Sequence, residues 1–317
     1  MGLTQIIPLA IPLIIALFVL VKGADILILG AQRIGKSFGL TPFIIGVVIV
    51  GFGTSLPEIA ASISAVMQGA SEIVVANAVG SNITNILLVI GILAAFGGDV
   101  KIKNDLLKTE LPIFFIATVH FAAIIYDGQV DKVEAMLLLG TFGAYVWYLY
   151  SESKKGNGEE ESKESNKLEL KSVGLFVAGL VAVLAGAHFT IEYTVQIATA
   201  FSVPLGLVSI LAIAIGTSLP ELFVSIQAIK TGETAMAVGN IFGSNAFNML
   251  VVVGLPGIIA STPLIADEVV MELGLAVLIA ASAIFFVNGL AKQIMRWEGL
   301  MMLMFFCYFL VKLIDFV

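Results

Sequence analysis

The 317-residue chain is 59% hydrophobic and 12% charged, with a mean hydropathy of +1.06, far from the roughly half-apolar, quarter-charged mix of soluble domains. That excludes a water-soluble globular protein and predicts an integral membrane protein. One cysteine, Cys307, excludes an intrachain disulfide and a cysteine metal cluster, and the formal charge of −7 does not by itself identify a partner.

Apolar runs of about 20 residues or more recur along the chain, the length a membrane-spanning helix needs. The roughly ten-residue alternation of a spanning barrel is absent from the sequence. The opening stretch MGLTQIIPLAIPLIIALFVLVKGAD has no basic leader and too long an apolar run for a signal peptide, so it reads as the first span. Ten spans are predicted, at 6–30, 42–67, 73–96, 110–126, 133–150, 172–198, 205–229, 235–259, 269–288 and 297–316. Between the fifth and sixth lies SESKKGNGEEESKESNKLELK, where 11 of 21 residues are charged and no apolar period exists, the mark of a solvated linker. The expected organisation is therefore a first unit over 1–150, a cytoplasmic linker over 151–171 and a second unit over 172–317.

The two units repeat each other. Gly23 and Ala24 match Gly186 and Ala187, GTSLPE at 53–58 matches GTSLPE at 216–221, and Asn77, Gly80, Ser81, Asn82 and Asn85 match Asn240, Gly243, Ser244, Asn245 and Asn248, every pair 163 positions apart. Five spans per unit is odd, so the second unit enters the bilayer inverted. An external amino terminus puts Arg33, Lys36, Lys101, Lys103, Lys108, Lys154, Lys155, Lys163, Lys167, Lys171, Lys230, Lys292 and Arg296 in the cytoplasm, thirteen against only Lys132 and Lys312 outside. The fold class expected is all-α: ten transmembrane helices as two inverted five-helix repeats, with helices 2, 3, 7 and 8 broken. This is a transporter architecture in a cell membrane, both termini external.

GTSLPE carries the chemistry. Pro57 has no N–H, so the carbonyl of Gly53 four residues back loses its partner and the helix opens. Thr54 and Ser55 stand four and three residues before Glu58, on its side of the helix. Opened backbone at membrane depth is tolerated where it lines a cavity or is buried in protein. Gly216, Thr217, Ser218, Pro220 and Glu221 repeat the arrangement from the opposite leaflet. A charged side chain at mid-bilayer costs at least about 2.5–3.5 kcal/mol, and two carboxylates about 5 Å apart repel by about 3 kcal/mol at an effective dielectric near 20. A bound cation or a shared proton relieves both penalties. Asn77, Ser81 and Asn85 lie at i, i+4 and i+8 on one helical stripe, as do Asn240, Ser244 and Asn248. With oxygen donors and no His or Cys cluster, soft and borderline metals are disfavoured, and a cage of this kind suits Ca2+ or dehydrated Na+.

VGFGTSLPEIAASISA with VANAVGSNITNILLVIG, and IAIGTSLPELFVSIQA with VGNIFGSNAFNMLVVVG, resemble the two alpha-repeats of the sodium/calcium exchanger branch of the cation/Ca2+ exchangers. The likeness is to archaeal and bacterial members, which lack large regulatory domains in the central loop. The resemblance implies Ca2+ coordination by Glu58 and Glu221 with the backbone carbonyls of Thr54 and Thr217. It implies Na+ positions built from Ser55, Ser218, Ser81, Ser244, Asn85 and the carbonyls of Gly51 and Ala214. It further implies exchange of about three Na+ for one Ca2+, with the first and sixth helices sliding over a fixed core. Gly23, Ala24, Gly186 and Ala187 are small enough for close sliding contact. Many relatives carry Asp where this chain has Asn248, which argues against K+ co-transport and leaves the central Na+ or water position open.

The expectation is a monomeric Na+/Ca2+ antiporter, not an enzyme, with Ca2+ and Na+ as substrates, the bilayer as its surroundings, and no cofactor or nucleic acid. An H+/Ca2+ or other cation/Ca2+ antiporter is the alternative. A cation channel is disfavoured because no filter-like carbonyl loop is present, and an intramembrane enzyme because Ser55 and Ser218 have no His or Lys base at a plausible spacing. Lys22 and Asp25 read as a self-neutralising pair, His120 and His188 as packing or interface residues, and Glu192 has no assigned role.

Overall fold

The structure is a computed structural model and describes residues 3–97, 100–101, 110–156, 168–200 and 215–315. The helices in chain order are α1 (Leu3–Ser37), α2 (Pro42–Thr54), α3 (Leu56–Met67), α4 (Glu72–Gly97), α5 (Glu110–Ile124), α6 (Lys132–Gly156), α7 (Leu170–Ala200), α8 (Leu219–Lys230), α9 (Thr234–Ile259), α10 (Val270–Leu290) and α11 (Arg296–Asp315). Among the described residues six of these are long and apolar enough to cross a membrane, or seven if α2 and α3, bent by 40° at Ser55, form one span. Exposed side chains such as Ile14, Phe18, Trp147, Leu170 and Met301 give the protein an apolar outer surface, as a bilayer requires.

Helix ends follow local chemistry. Thr41 caps α2, its hydroxyl accepting from the Ile44 amide, with Pro42 at the first helical position. α6 runs on through the charged SESKKG to Gly156, past the boundary expected at 150. Lys, Glu and Ser tolerate helix, and the turn-prone GNG sequence comes only after Lys155. The third and eighth spans, expected to be broken, are not broken in the manner of the second. Within α4, Thr84–Ile90 is a π-helix, and within α9, Asn248–Val252 is another. Each widens the helix locally, and α9 passes through a turn at Val253 before its last segment, Gly254–Ile259.

Among the described residues, four two-residue strands close the ends of the bundle: β1 (Val100–Lys101), β2 (Gln129–Val130), β3 (Leu264–Ile265) and β4 (Gln293–Ile294). β1 pairs with β4, Lys101 opposite Gln293, and β2 pairs with β3, Val130 opposite Leu264. Adding 163 to Lys101 gives Leu264, and adding it to Val130 gives Gln293, so each ladder is the internal-repeat image of the other.

Among the described residues, the buried apolar side chains form two main clusters. The larger joins α2–α6 with α8–α11 and is centred on edge-to-face rings such as Phe43–Phe242 at 6.0 Å and Phe114–Phe285 at 5.5 Å. The smaller is built on Leu20, Ala24, Leu27, Ile28 and Ala31 of α1 with Val183 and Ala187 of α7, and takes in Ile45, Val50, Val224 and Ala228. α1 and α7 approach backbone to backbone. A Cβ on Gly23 would sit 2.7 Å from the Val183 amide nitrogen, and one on Gly186 2.6 Å from that of Leu20. α2 and α9 meet as closely, since a Cβ on Gly243 would stand 2.4 Å from the Val47 carbonyl oxygen. That contact brings the end of α2, which carries the first GTSLPE, against the Asn240–Ser244 turn of α9.

Candidate cation-binding site

Ser55 (φ −86°, ψ 7°) leaves helical geometry between α2 and α3, and Ser218 (φ −88°, ψ 3°) does the same before α8. Each is followed by Leu-Pro-Glu, so Glu58 and Glu221 stand in the first turn of a new helix. There the partial positive charge of the helix start offsets part of the cost of a buried carboxylate. Both glutamates are wholly buried, as are Thr54, Ser55, Asn85, Asn240, Ser244 and Asn248.

The breaks are braced identically in the two halves. Asn77 Nδ2 donates to the Glu58 carbonyl oxygen and to Ser62 Oγ, both at 3.1 Å. Asn240 Nδ2 donates to the Glu221 carbonyl at 3.4 Å and to Ser225 Oγ at 3.0 Å. The side-chain nitrogens of Asn77 and Asn240 thus position the broken helices. Ser62 and Ser225 were not among the sequence candidates, although both stand four residues after the glutamates, on the same helical face.

Spacing along the chain placed the Thr54 and Ser55 hydroxyls beside Glu58. The structure sends both across to the other half. Ser55 Oγ donates to Glu221 Oε1 at 3.2 Å, joined there by Ser244 Oγ at 3.3 Å. Thr54 Oγ1 donates to Asn240 Oδ1 at 3.2 Å and lies 3.4 Å from Ser244 Oγ, and Ser244 Oγ and Thr54 Oγ1 each lie 3.4 Å from the Gly51 carbonyl. The open turn at Ser55 is the physical reason: loss of helical ψ rotates the preceding groups away from the axis that carries Glu58. In the reciprocal position Thr217 Oγ1 shares a hydrogen bond with Ser81 Oγ at 3.2 Å. Ala214 lies outside the described residues.

Several buried atoms have no protein partner. Both carboxylate oxygens of Glu58, Oε2 of Glu221, Ser218 Oγ, and the amide oxygens and nitrogens of Asn85 and Asn248 make no hydrogen bond within the described residues. Each such buried group left alone costs about 1–3 kcal/mol, which motivates a ligand supplied from outside. Asn85 and Asn248 sit in the π-helical turns of α4 and α9, so they do not continue an ideal α-helical stripe from Asn77 and Asn240. Among the described residues no three His, Cys, Asp or Glu side chains cluster as a metal site. The chemistry offered is two carboxylates among hydroxyl, amide and carbonyl oxygens, a donor set for hard cations.

Of the other residues singled out, His120 Nδ1 bonds Thr141 Oγ1 at 2.9 Å, tying α5 to α6. Lys22 Nζ meets Asp25 Oδ2 at 3.2 Å.

Apolar spanning helices, buried carboxylates and helices opened beside them are the architecture of a membrane transport protein. The sodium/calcium exchanger protein family matches residues 9–151 and 171–314, and the chain belongs to that family. It is 32% identical to the sodium/calcium exchanger MaX1 of Methanosarcina acetivorans, over 95% of this chain and 97% of that one. It is 34% identical to the inner membrane protein YrbG of Escherichia coli over 86% of each. Among solved structures it superposes on the sodium-calcium exchanger NCX_Mj, soaked with zero Na+ and Ca2+, with a TM-score of 0.81 and 30% identity over 97% of this chain and 99% of that one.

Proposed function

We propose that the protein is an electrogenic Na+/Ca2+ antiporter working by alternating access around one midplane site. The observation that carries this reading is the pair of buried carboxylates, Glu58 and Glu221, with three oxygens unpartnered within the described residues, amid hydroxyl and amide groups. Family membership and the likeness to MaX1 and NCX_Mj support the same ions.

In this reading Glu58 and Glu221 hold Ca2+ with the carbonyls of Thr54 and Thr217. Na+ uses Ser55, Ser218, Ser81, Ser244, Asn85 and the carbonyls of Gly51 and Ala214, and Asn248 contributes a neutral amide. Two carboxylates balance one Ca2+ or two Na+, so a third Na+ moves net charge at about 2.3 kcal/mol per 100 mV. An empty site leaves two uncompensated buried charges, which favours exchange over leak. Both glutamates come from one chain, and the proposed transporting unit is the monomer.

For topology we propose ten spans in two inverted repeats, 1–150 and 172–317, joined by a cytoplasmic linker over 151–171, with both termini external. Two observations support it: the thirteen-to-two distribution of basic residues and the ladders. A β1–β4 ladder requires the connection after α4 and the one before α11 to share a membrane face, and β2–β3 requires the same of the connections before α6 and α10. Ten alternating spans satisfy both.

The test is 45Ca2+ flux in reconstituted liposomes with Na+, K+ and H+ gradients imposed in turn. The proposal expects uptake driven by outward Na+ alone. Uptake driven by a pH gradient instead would make the protein an H+/Ca2+ antiporter.

A further inference from the structure

The asparagine braces and strand ladders of the core obey the internal repeat, and so does the close approach within the α1–α7 pair, but the contacts between pair and core do not. In the core, the Asn77 brace mirrors that of Asn240, and the two strand ladders are images of one another. Within the pair, Gly23 against Val183 mirrors Gly186 against Leu20. Between pair and core, Gln227 Nε2 of α8 donates a hydrogen bond to Asp25 Oδ1 of α1. The repeat images of these residues are Ser64 and His188. Ser64 Oγ instead accepts from Gln68 on its own helix at 2.8 Å. His188, 73% exposed, lies 3.9 Å from Glu192 on its own helix.

The helix-opening turns show the same offset. A Cβ on Gly53 would meet Leu180 and Phe176 of α7, whose images are Leu17 and Leu13 of α1, yet a Cβ on Gly216 would meet Ile191, again of α7. The pair therefore sits off the symmetric position relative to the core, and the Asp25–Gln227 hydrogen bond exists on one side only. Its second oxygen faces Lys22 on α1 itself, so parting α1 from α8 breaks the hydrogen bond from Gln227 while leaving the Lys22 contact in place.

We infer that the Asp25–Gln227 hydrogen bond is a latch: it holds the α1–α7 pair against the end of α8 and keeps the site closed toward that side. A protein whose binding-competent conformation is scarce at one face shows a proportionately weakened affinity there. Releasing the latch shifts that balance without touching any ion ligand. The inference rests on the exchanger reading for its transport readout, but not for its accessibility readout.

Ala228, buried in the α1–α8 contact, reports the gap directly. In a Cys307→Ser background, the thiol introduced by Ala228→Cys is titrated with a membrane-impermeant maleimide on monodisperse protein. Gln227→Leu is expected to speed alkylation several-fold, and Gln227→Glu, which sets a second carboxylate against Asp25, is expected to speed it more. In oriented liposomes the KM for Ca2+ at the face where α8 ends should fall about tenfold in Gln227→Leu, equivalent to about 1.4 kcal/mol, while the KM at the opposite face does not fall. Unchanged alkylation in both variants, or parallel loss of affinity at both faces, overturns the latch. Faster alkylation in a protein with no Na+-driven Ca2+ flux leaves the latch standing and removes the exchanger reading.

Discussion

Glu58 and Glu221 are equivalent in sequence but not in surroundings: Ser55 and Ser244 satisfy one oxygen of Glu221, while Glu58 has none satisfied within the described residues. A unit charge pair at 4 Å contributes about 4 kcal/mol at an effective dielectric near 20, and Ca2+ carries twice the charge. Glu58→Gln and Glu221→Gln should each lower Na+-driven Ca2+ flux by more than about a hundredfold in liposomes, and retained exchange in either would overturn the site. Ser55→Ala removes one of the two hydroxyls on Glu221 Oε1 and should weaken exchange more mildly, by about tenfold, read as a KM for Na+ or Ca2+. The carboxylates and hydroxyls themselves were legible because GTSLPE occurs twice at one offset. Their pairing was not, since the partners of Thr54 and Ser55 lie 186 and 166 positions away, beyond any argument from helical spacing.

At the scale of elements, the bracing asparagines and the glycine contacts set the site's shape. Asn77→Ala leaves the Glu58 carbonyl and Ser62 without their shared donor and should cost about 1–3 kcal/mol, seen as an earlier thermal transition in detergent. Gly243→Ala drives a methyl group into the Val47 carbonyl and should destabilise comparably, with α2 displaced from α9 and ion binding lost alongside. Most helices were legible as apolar runs, and the start of α2 as Thr41-Pro42. The π-helical turns at Thr84–Ile90 and Asn248–Val252 were not. An extra residue in a helical turn leaves no trace in hydrophobic period when every side of the helix is buried, as around Ile83–Leu87.

At the scale of the whole molecule, the inverted-repeat reading makes flux sensitive to voltage and linker position sensitive to sidedness. An inside-negative diffusion potential of 100 mV, set with K+ and valinomycin, should speed Na+ entry coupled to Ca2+ exit and slow the reverse, because one net charge moves per cycle. Flux indifferent to the potential would mean an electroneutral cycle. A cysteine placed in the 151–171 segment of a Cys307→Ser chain should react with impermeant reagents only from the cytoplasmic face.

The crossed ladders bear on how such a chain is made. Lys101 pairs with Gln293, 192 positions later, and Val130 with Leu264, so each short strand of the amino-terminal half waits for a mate the ribosome has yet to synthesise. Separate expression of the two halves should therefore yield fragments that are protease-sensitive alone and that recover resistance when made together in one cell. Biogenesis and repair of this protein become an assembly of complementary parts, completed only when the last quarter of the polypeptide has emerged.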